Sequence, residues 1–418
     1  MKEIIDFIKN NANWIFDGIG VAVITLLLGL FVKDKVQKKN KARNNNIQNN
    51  VEGDNKENQE MVNSSNSQQI VVHGDYINGI TEKEAKDVYK ELYTKSKEEF
   101  SAIASDVAEK RVEKLENKIM EEFSKINGAI DSFQDPSFQI LLRSAQKTAI
   151  MTEREDDYSL LSELLIDKVK NGKDRKANVG IKRAIEIVDE VPAEALTGLT
   201  VKYAIERVSP ITGNISEGLD VLDTLFGKLI ENDLPQGEEW IEQLDVLNLA
   251  RIDSFGKFIK LEEYYKKSLS GYCCIGIKKD SANYVKAEQL LKENGINNIL
   301  ITNELNSEYV RIPVRNKDAI KDMYEIKYDA ITGIRSECKI DASKIKALED
   351  VYDLYENDSK LLEVVYSNFT NKIIERKTLR KIKEWLENIP KSFVTTPTGK
   401  ILANANAQRI DKGFPPLN

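Results

Sequence analysis

Catalysis and metal binding need side chains that converge, and this chain supplies few that could. Its one histidine, His73, sits in the turn-rich stretch IVVHGDYINGI. The common zinc patterns need a second histidine or cysteines at ligand spacing, and none accompanies it. Cys273 and Cys274 adjoin inside an apolar run. A thiol nucleophile needs a nearby base, and the only histidine lies in another segment. Glu153, Glu155, Asp156 and Asp157 crowd one short acidic loop. A general acid or a metal site there would require partners that the sequence does not identify, so the loop reads as solvated. Pro397–Lys400 spells PTGK, but a phosphate loop has a further glycine five residues before its Gly-Lys and a Ser or Thr after it. Gly18-Ile19-Gly20 has no strand before it, as a dinucleotide fingerprint would. Arg143, Lys147 and Arg154, and then Arg376, Lys377, Arg380, Lys381 and Lys383, form basic clusters. They read as wetted helix faces, the second with some capacity to touch nucleic acid or lipid headgroups. The expectation is therefore no catalytic, cofactor-binding or metal residue, and no cofactor.

Other residues do carry a clear physical signal. WIFDGIGVAVITLLLGLFV runs from Trp14 to Val32, and Gly18 to Val32 holds no charge. At ~1.5 Å per residue those uncharged residues cover about 22 Å, short of a ~30 Å hydrocarbon core. Trp14, Ile15 and Phe16 extend it, with Asp17 near the end, where a carboxylate reaches interfacial water. Trp14 suits the aromatic belt. Nothing after the segment resembles a cleavage site, and a core helix is not normally followed by so dense a basic run, so the reading is a short membrane span. Gly18 and Ala22 lie four apart and permit close helix approach, with Gly29 a further small position. Lys33, Lys35, Lys38, Lys39, Lys41 and Arg43 follow at once, opposed only by Asp34. The positive-inside rule puts everything after Val32 in the cytoplasm. The same run could hold anionic headgroups.

What positions these parts is mostly helix. Asn44 to Ser67 is rich in Asn, Gln and Ser and reads either as a disordered spacer or as an ordered stalk between identical chains. His-Gly-Asp and Asn-Gly punctuate a short strand-like stretch from Ile70. Thr81 and Glu84 form a capping box opening one long helix. Its apolar positions recur at Ala85, Tyr89, Leu92, Ser96, Phe100, Ile103 and Val107. They then slip near Arg111 and resume at Leu115, Ile119, Phe123 and Ile126. Such a stripe needs a partner, from the same domain or another copy. Helices are expected over 136–151, 158–170, 176–189, 192–208, 217–231, 238–249 and 257–268. An α/β insert of strand, helix, strand and strand follows: Gly271–Ile277, Ser281–Gly295, Asn297–Thr302 and Glu308–Val314. Helices return over 342–357, 359–369, 378–388 and from Lys400.

The fold class is thus mainly α, with a single span, an Asn-rich linker, a long helix and a multi-helix cytoplasmic body. Expected boundaries are 1–43 anchor, 44–69 linker, 70–134 strand and long helix, 135–269 helical, 270–316 insert and 317–418 helical. Three cysteines do not make a disulfide framework, which fits a reducing compartment. A net charge of −7 argues against nucleic acid as a partner.

Four motifs add a resemblance: W-I-F-x-G-I-G over Trp14–Gly20, G-I-T-x-x-E-A-x-x-V over Gly79–Val88, D-P-S-F-Q-x-x-L-x-x-A-Q over Asp135–Gln146, and T-x-x-G-K-x-x-A-x-A-N-x-x-R over Thr396–Arg409. Together they resemble a family of uncharacterised bacterial single-pass membrane-anchored proteins known only by locus tags. The closing T-x-x-G is similar to the end of abortive-infection alpha proteins, with Thr395 where a leucine is usual. That resemblance implies a link to anti-phage defence. The expectation is a non-enzymatic effector or sensor in the bacterial inner membrane, partnered by the bilayer, by further copies of itself, and by a phage or host trigger. A membrane-tethered enzyme acting on nucleic acid or nucleotides, or a scaffold for a cytoplasmic partner, are the alternatives.

Overall fold

A computed structural model describes residues 82–417 except 173, 254 and 329–334. The described chain is mainly helical with three small sheets. It divides into two compact units, one ending at Tyr158 and the other beginning at Ser159. Among the described residues no helix is long and apolar enough to cross a membrane. The segment Trp14–Val32, the basic run Lys33–Arg43, the Asn-rich linker and His73 lie outside the described residues.

In the first unit, α1 (Glu82–Phe123) is followed by a 3-10 turn (Ala129–Gln134) and α2 (Pro136–Met151). The Asp135-Pro136 pair starts α2 as the sequence predicts. The Asp135 side chain accepts from Ser137 N at 2.7 Å, and proline tolerates the first turn because its missing N–H would have no partner there. Phe123 closes α1 against Phe133 and Phe138, with ring centroids 5.7 and 5.8 Å away. Leu115, Ile119, Leu142 and Ala145 fill the space between α1 and α2.

Helix α3 (Glu155–Asn171) leads into the second unit, where α4 (Arg175–Ile187), α5 (Ala193–Arg207), α6 (Ile215–Leu229) and α7 (Glu239–Val246) follow. The chain returns to this layer through α11 (Ser359–Ile374), α12 (Lys377–Asn388) and α13 (Pro397–Ile410). Side-chain caps close the starts of several helices, including Asp174 at α4, Asn214 at α6 and Asp358 at α11. Each satisfies main-chain N–H groups that have no intrahelical acceptor. α13 packs on α4 and α5 and is buried on every side from Ile401 to Gln408.

Several features depart from the sequence expectation. Among them are a two-stranded hairpin (Tyr324–Tyr328 and Arg335–Lys339) in the 317–418 region expected to be helical, and a helix expected over 342–357 that ends at Tyr352. The helix expected over 238–249 stops at Val246, and the next residues form β1 (Ala250–Asp253). Its partner is β7 (Ser392–Thr395), antiparallel, with Ala250 opposite Thr395 and Asp253 opposite Ser392. Four residues of a strand leave too little alternation to separate from a helix end. Likewise the helix expected from 257 begins only at Leu261, as α8 (Leu261–Ser268).

The insert holds β2 (Ile277–Lys278), α9 (Ala282–Glu293), β3 (Ile301–Thr302) and β4 (Tyr309–Arg311). The strands are shorter than the apolar runs that predict them. Their order is β2-β4-β3, with both pairs antiparallel. The ligand-binding crevice of open parallel sheets depends on parallel strands with crossover helices, and this small sheet is built differently. A hairpin of β5 (Tyr324–Tyr328) and β6 (Arg335–Lys339) then leads to α10 (Ala342–Tyr352). Leu348 and Val351 of α10 complete the same core as Ile277, Leu291 and Ile312. Arg311 pins the insert in place. It is fully buried and donates to the main-chain oxygens of Gly213 (2.6 Å), Gly271 and Ile312 (both 3.3 Å), with the Tyr272 ring 5.7 Å from its guanidinium.

Candidate functional site

The groups with potential for chemistry turn out to be absorbed by structure. Glu153 pairs with Arg111 at 2.6 Å and Glu155 pairs with Lys114. Asp157 accepts from Thr152 at 2.5 Å and from Arg154 at 2.9 Å, while its burial pushes its acidity down. The acidic loop is exposed at Glu153, Glu155 and Asp156, as expected, with Asp157 alone drawn inside, and two of its exposed carboxylates pair back to α1. Burial pushes the Cys273 thiol well up and Cys274 to about 11, far from the thiolate that nucleophilic attack requires. In the tail's basic cluster, Arg376 holds Asp220 at 2.8 Å, Lys381 holds Asp233 at 3.6 Å and Lys383 holds Glu387 at 2.7 Å. Among the described residues no three His, Cys, Asp or Glu side chains converge as a metal site.

The closing motif also resolves into fold. Thr396 Oγ1 caps α13 by accepting from Gly399 N at 3.0 Å and donates to Asn248 O at 2.6 Å. Gly399 is required by close approach, since a Cβ there would lie 2.0 Å from Leu249 O. Asn406 donates to Thr200, and Arg409 pairs with Glu231. The following residues strap the bundle. Lys412 pairs with Glu163, Phe414 is buried near Tyr203, and Pro415 O and Pro416 O accept from Asn404 and Arg207. Glu163 and Asp167 are both buried one turn apart on α3. Burial first, and then the neighbouring Glu163, lift Asp167 to about 7.

A half-open cleft of about 230 Å³ lies between α5, α8 and β7. Ile205, Phe258, Leu261, Leu386 and Phe393 wall it, and Lys202 lies at its base. The Lys202 ammonium donates to Glu206 at 2.9 Å and to Thr395 at 3.1 Å, and sits 5.3 Å from the Phe393 ring centre. Its charge is thus largely answered within the fold, and the cleft is smaller than typical ligand pockets of roughly 300–1,000 Å³.

Among the described residues, one row of apolar side chains on α1 stays uncovered. The C-terminal half of α1 buries Val112, Leu115, Ile119 and Phe123. Its N-terminal half leaves Tyr89 72% exposed, Leu92 60%, Tyr93 59%, Ile103 61% and Val107 40%. Tyr89 and Tyr93 stack on each other one turn apart, with centroids 6.5 Å apart. At about 100° per residue, the series 89, 92, 93, 96, 103, 107 and the series 112, 115, 119, 123 point roughly 140° apart. The slip near Arg111 seen in the sequence is this change of face. Arg111 itself turns to Ile150 O at 2.6 Å on the buried side. Scattered exposed apolar residues are ordinary, but an aligned row on one helix face marks an interaction surface.

A family model with the bare description ":-like" matches residues 79–417, from just before α1 to the end of the C-terminal strap. The chain belongs to that family. The family is poorly characterised, and its description carries no activity. No curated protein and no solved structure matches the chain.

Proposed function

We propose that the protein is a membrane-anchored, non-enzymatic effector or sensor that acts by self-association at the bacterial inner membrane, in anti-phage defence. One observation carries the reading: the long helix presents an uncovered apolar face in the half nearest the anchor and linker. Trp14, Asp17, Gly18, Ala22, Gly29 and Val32 form the span in this reading. Lys33, Lys35, Lys38, Lys39, Lys41 and Arg43 hold the cytoplasmic leaflet. Tethering confines copies to one surface and raises their effective concentration, so a modest helix face suffices to drive association. A phage or host protein detected by the cytoplasmic body is the trigger.

The test is the inner-membrane potential in phage-challenged cells, with the full-length chain against one lacking residues 1–43. Depolarisation with the full-length chain alone is the expected result. No depolarisation with either would leave the span as a tether and remove the effector role.

A second reading, a scaffold for a cytoplasmic partner, draws on the loop after β1. Asp253 Oδ1 accepts from Phe255 N and Gly256 N at 3.1 and 3.0 Å, and this turn thrusts Phe255 wholly into solvent. Ile259 beside it is 54% exposed. If Phe255→Ser abolishes the defence phenotype while membrane association and self-association persist, the scaffold reading displaces the first.

A further inference from the structure

We infer that the N-terminal half of α1 pairs with the same segment of a second copy, side by side and in the same direction, through Tyr89, Leu92, Tyr93, Ser96, Ile103 and Val107. The inference rests on the reading that the copies share one membrane. The segment from 89 to 107 is about 28 Å long, and its apolar positions are three and four apart, the spacing of a coiled-coil seam. Phe100 falls in the same sequence series.

Charge selects the occupant and its direction. Residues 82–110 carry eight acidic and six basic side chains, a net negative charge that an anionic lipid surface would repel. Beside the stripe, one flank carries Lys86, Lys90 and Lys97, and the other carries Lys95, Asp106 and Lys110, where Asp106 bonds Lys110 at 2.8 Å. Antiparallel pairing about the middle of the segment sets each flank against itself and brings Lys97 against Lys97 of the other copy. Parallel pairing sets the strongly basic flank against the nearly neutral one. Residues 1–81 all enter α1 at the same end, so chains anchored in one membrane present their helices in the same sense. Pairing here leaves the buried stripe of 112–123 undisturbed, because it lies on another face.

Cysteine cross-linking in membranes from cells making the full-length chain tests this, in a Cys338→Ser background. Burial keeps Cys273 and Cys274 protonated as thiols, and they stay silent. Tyr89→Cys and Ile103→Cys, made singly, should each shift most of the chain to a covalent dimer under mild oxidation. Glu98→Cys, on the opposite face, should not. Parallel helices bring a seam position against its own copy, within the Cα separation of roughly 4.4–6.8 Å that a disulfide tolerates. Equal cross-linking at Glu98→Cys, or none at either seam position, would overturn the pairing. So would cross-linking only between Tyr89→Cys and Val107→Cys chains when mixed, which signals antiparallel order. Alkaline extraction of the same membranes reports the anchor separately. A chain that washes off yet cross-links at both seam positions removes the anchor and keeps the pairing. A chain that stays in the membrane and does not cross-link does the reverse.

Discussion

The two halves of α1 are one continuous helix with similar apolar spacing, yet they have opposite fates. From Val112 to Phe123 the stripe meets α2 and disappears from solvent. From Tyr89 to Val107 an equally regular stripe meets nothing within the described chain. The difference lies not in propensity, because both halves are rich in good helix formers. It lies in which face the chain's own later residues reach. Phe133, Phe138 and Leu142 are placed by the Asp135-Pro136 turn to meet the C-terminal face, and no described element extends to the other. Regular spacing therefore specifies a contact surface without specifying whose surface completes it.

The comparison can be broken most forcefully at its buried end. Phe123→Ala should lower stability by about 3–5 kcal/mol, the usual loss for a buried aromatic. Ile103→Ala should change it by less than about 0.5 kcal/mol, as at ordinary surface positions. Urea unfolding of residues 81–418 measures both, and equal losses would mean that the exposed half is covered in solution. Next in size is Gly399→Ala. The Cβ has no room before Leu249 O, so overpacking should cost about 1–3 kcal/mol. The cross-link through Ile103→Cys should survive it, which separates body stability from pairing.

Acidity offers a gentler probe. An unfolded Asp ionises near ~3.9, whereas Asp167 in the fold holds its proton to about 7. Between those values the folded chain binds a proton that the unfolded chain releases. Raising pH then favours unfolding. Stability should fall as pH climbs from about 4 to 7 and level off above. Asp167→Asn should flatten that decline, with Glu163, Lys170, Lys412, Tyr203 and Arg207 left in place around it. Thermal melts across this range report the slope. Thr396→Ala is expected to cost about 0.5–2 kcal/mol through the lost cap, read as a shift in the urea midpoint.

Much of this was legible beforehand where caps and periodicity agree. Pro136–Met151 emerges with the bounds its Asp-Pro start and apolar spacing predict. α5, α6, α9 and α12 lie within two residues of expectation. β1 and β7 were not legible, because each is four residues long and they pair across most of the second unit. No local pattern encodes such a distant partner. The acidic loop is exposed as its charge run predicts, but its pairing was not legible, because Arg111 and Lys114 sit about 40 residues earlier on a different helix. Thr396 and Gly399 were legible as a motif but not as a cause. Only the closeness of Leu249 O explains why a glycine stands there.

The C-terminal strap sets a clock on biosynthesis. Glu163 finds Lys412 249 positions further along the chain. At roughly 5–20 residues per second of translation, that is about 12–50 s during which Glu163 and Asp167 have no strap above them. The α1–α2 unit contains its own partners and can settle as soon as it leaves the ribosome. The second unit must wait for its last helix and tail. A nascent copy thus has its pairing helix ready while its body is still unfinished, and the order of ripening is written into which residues hold which.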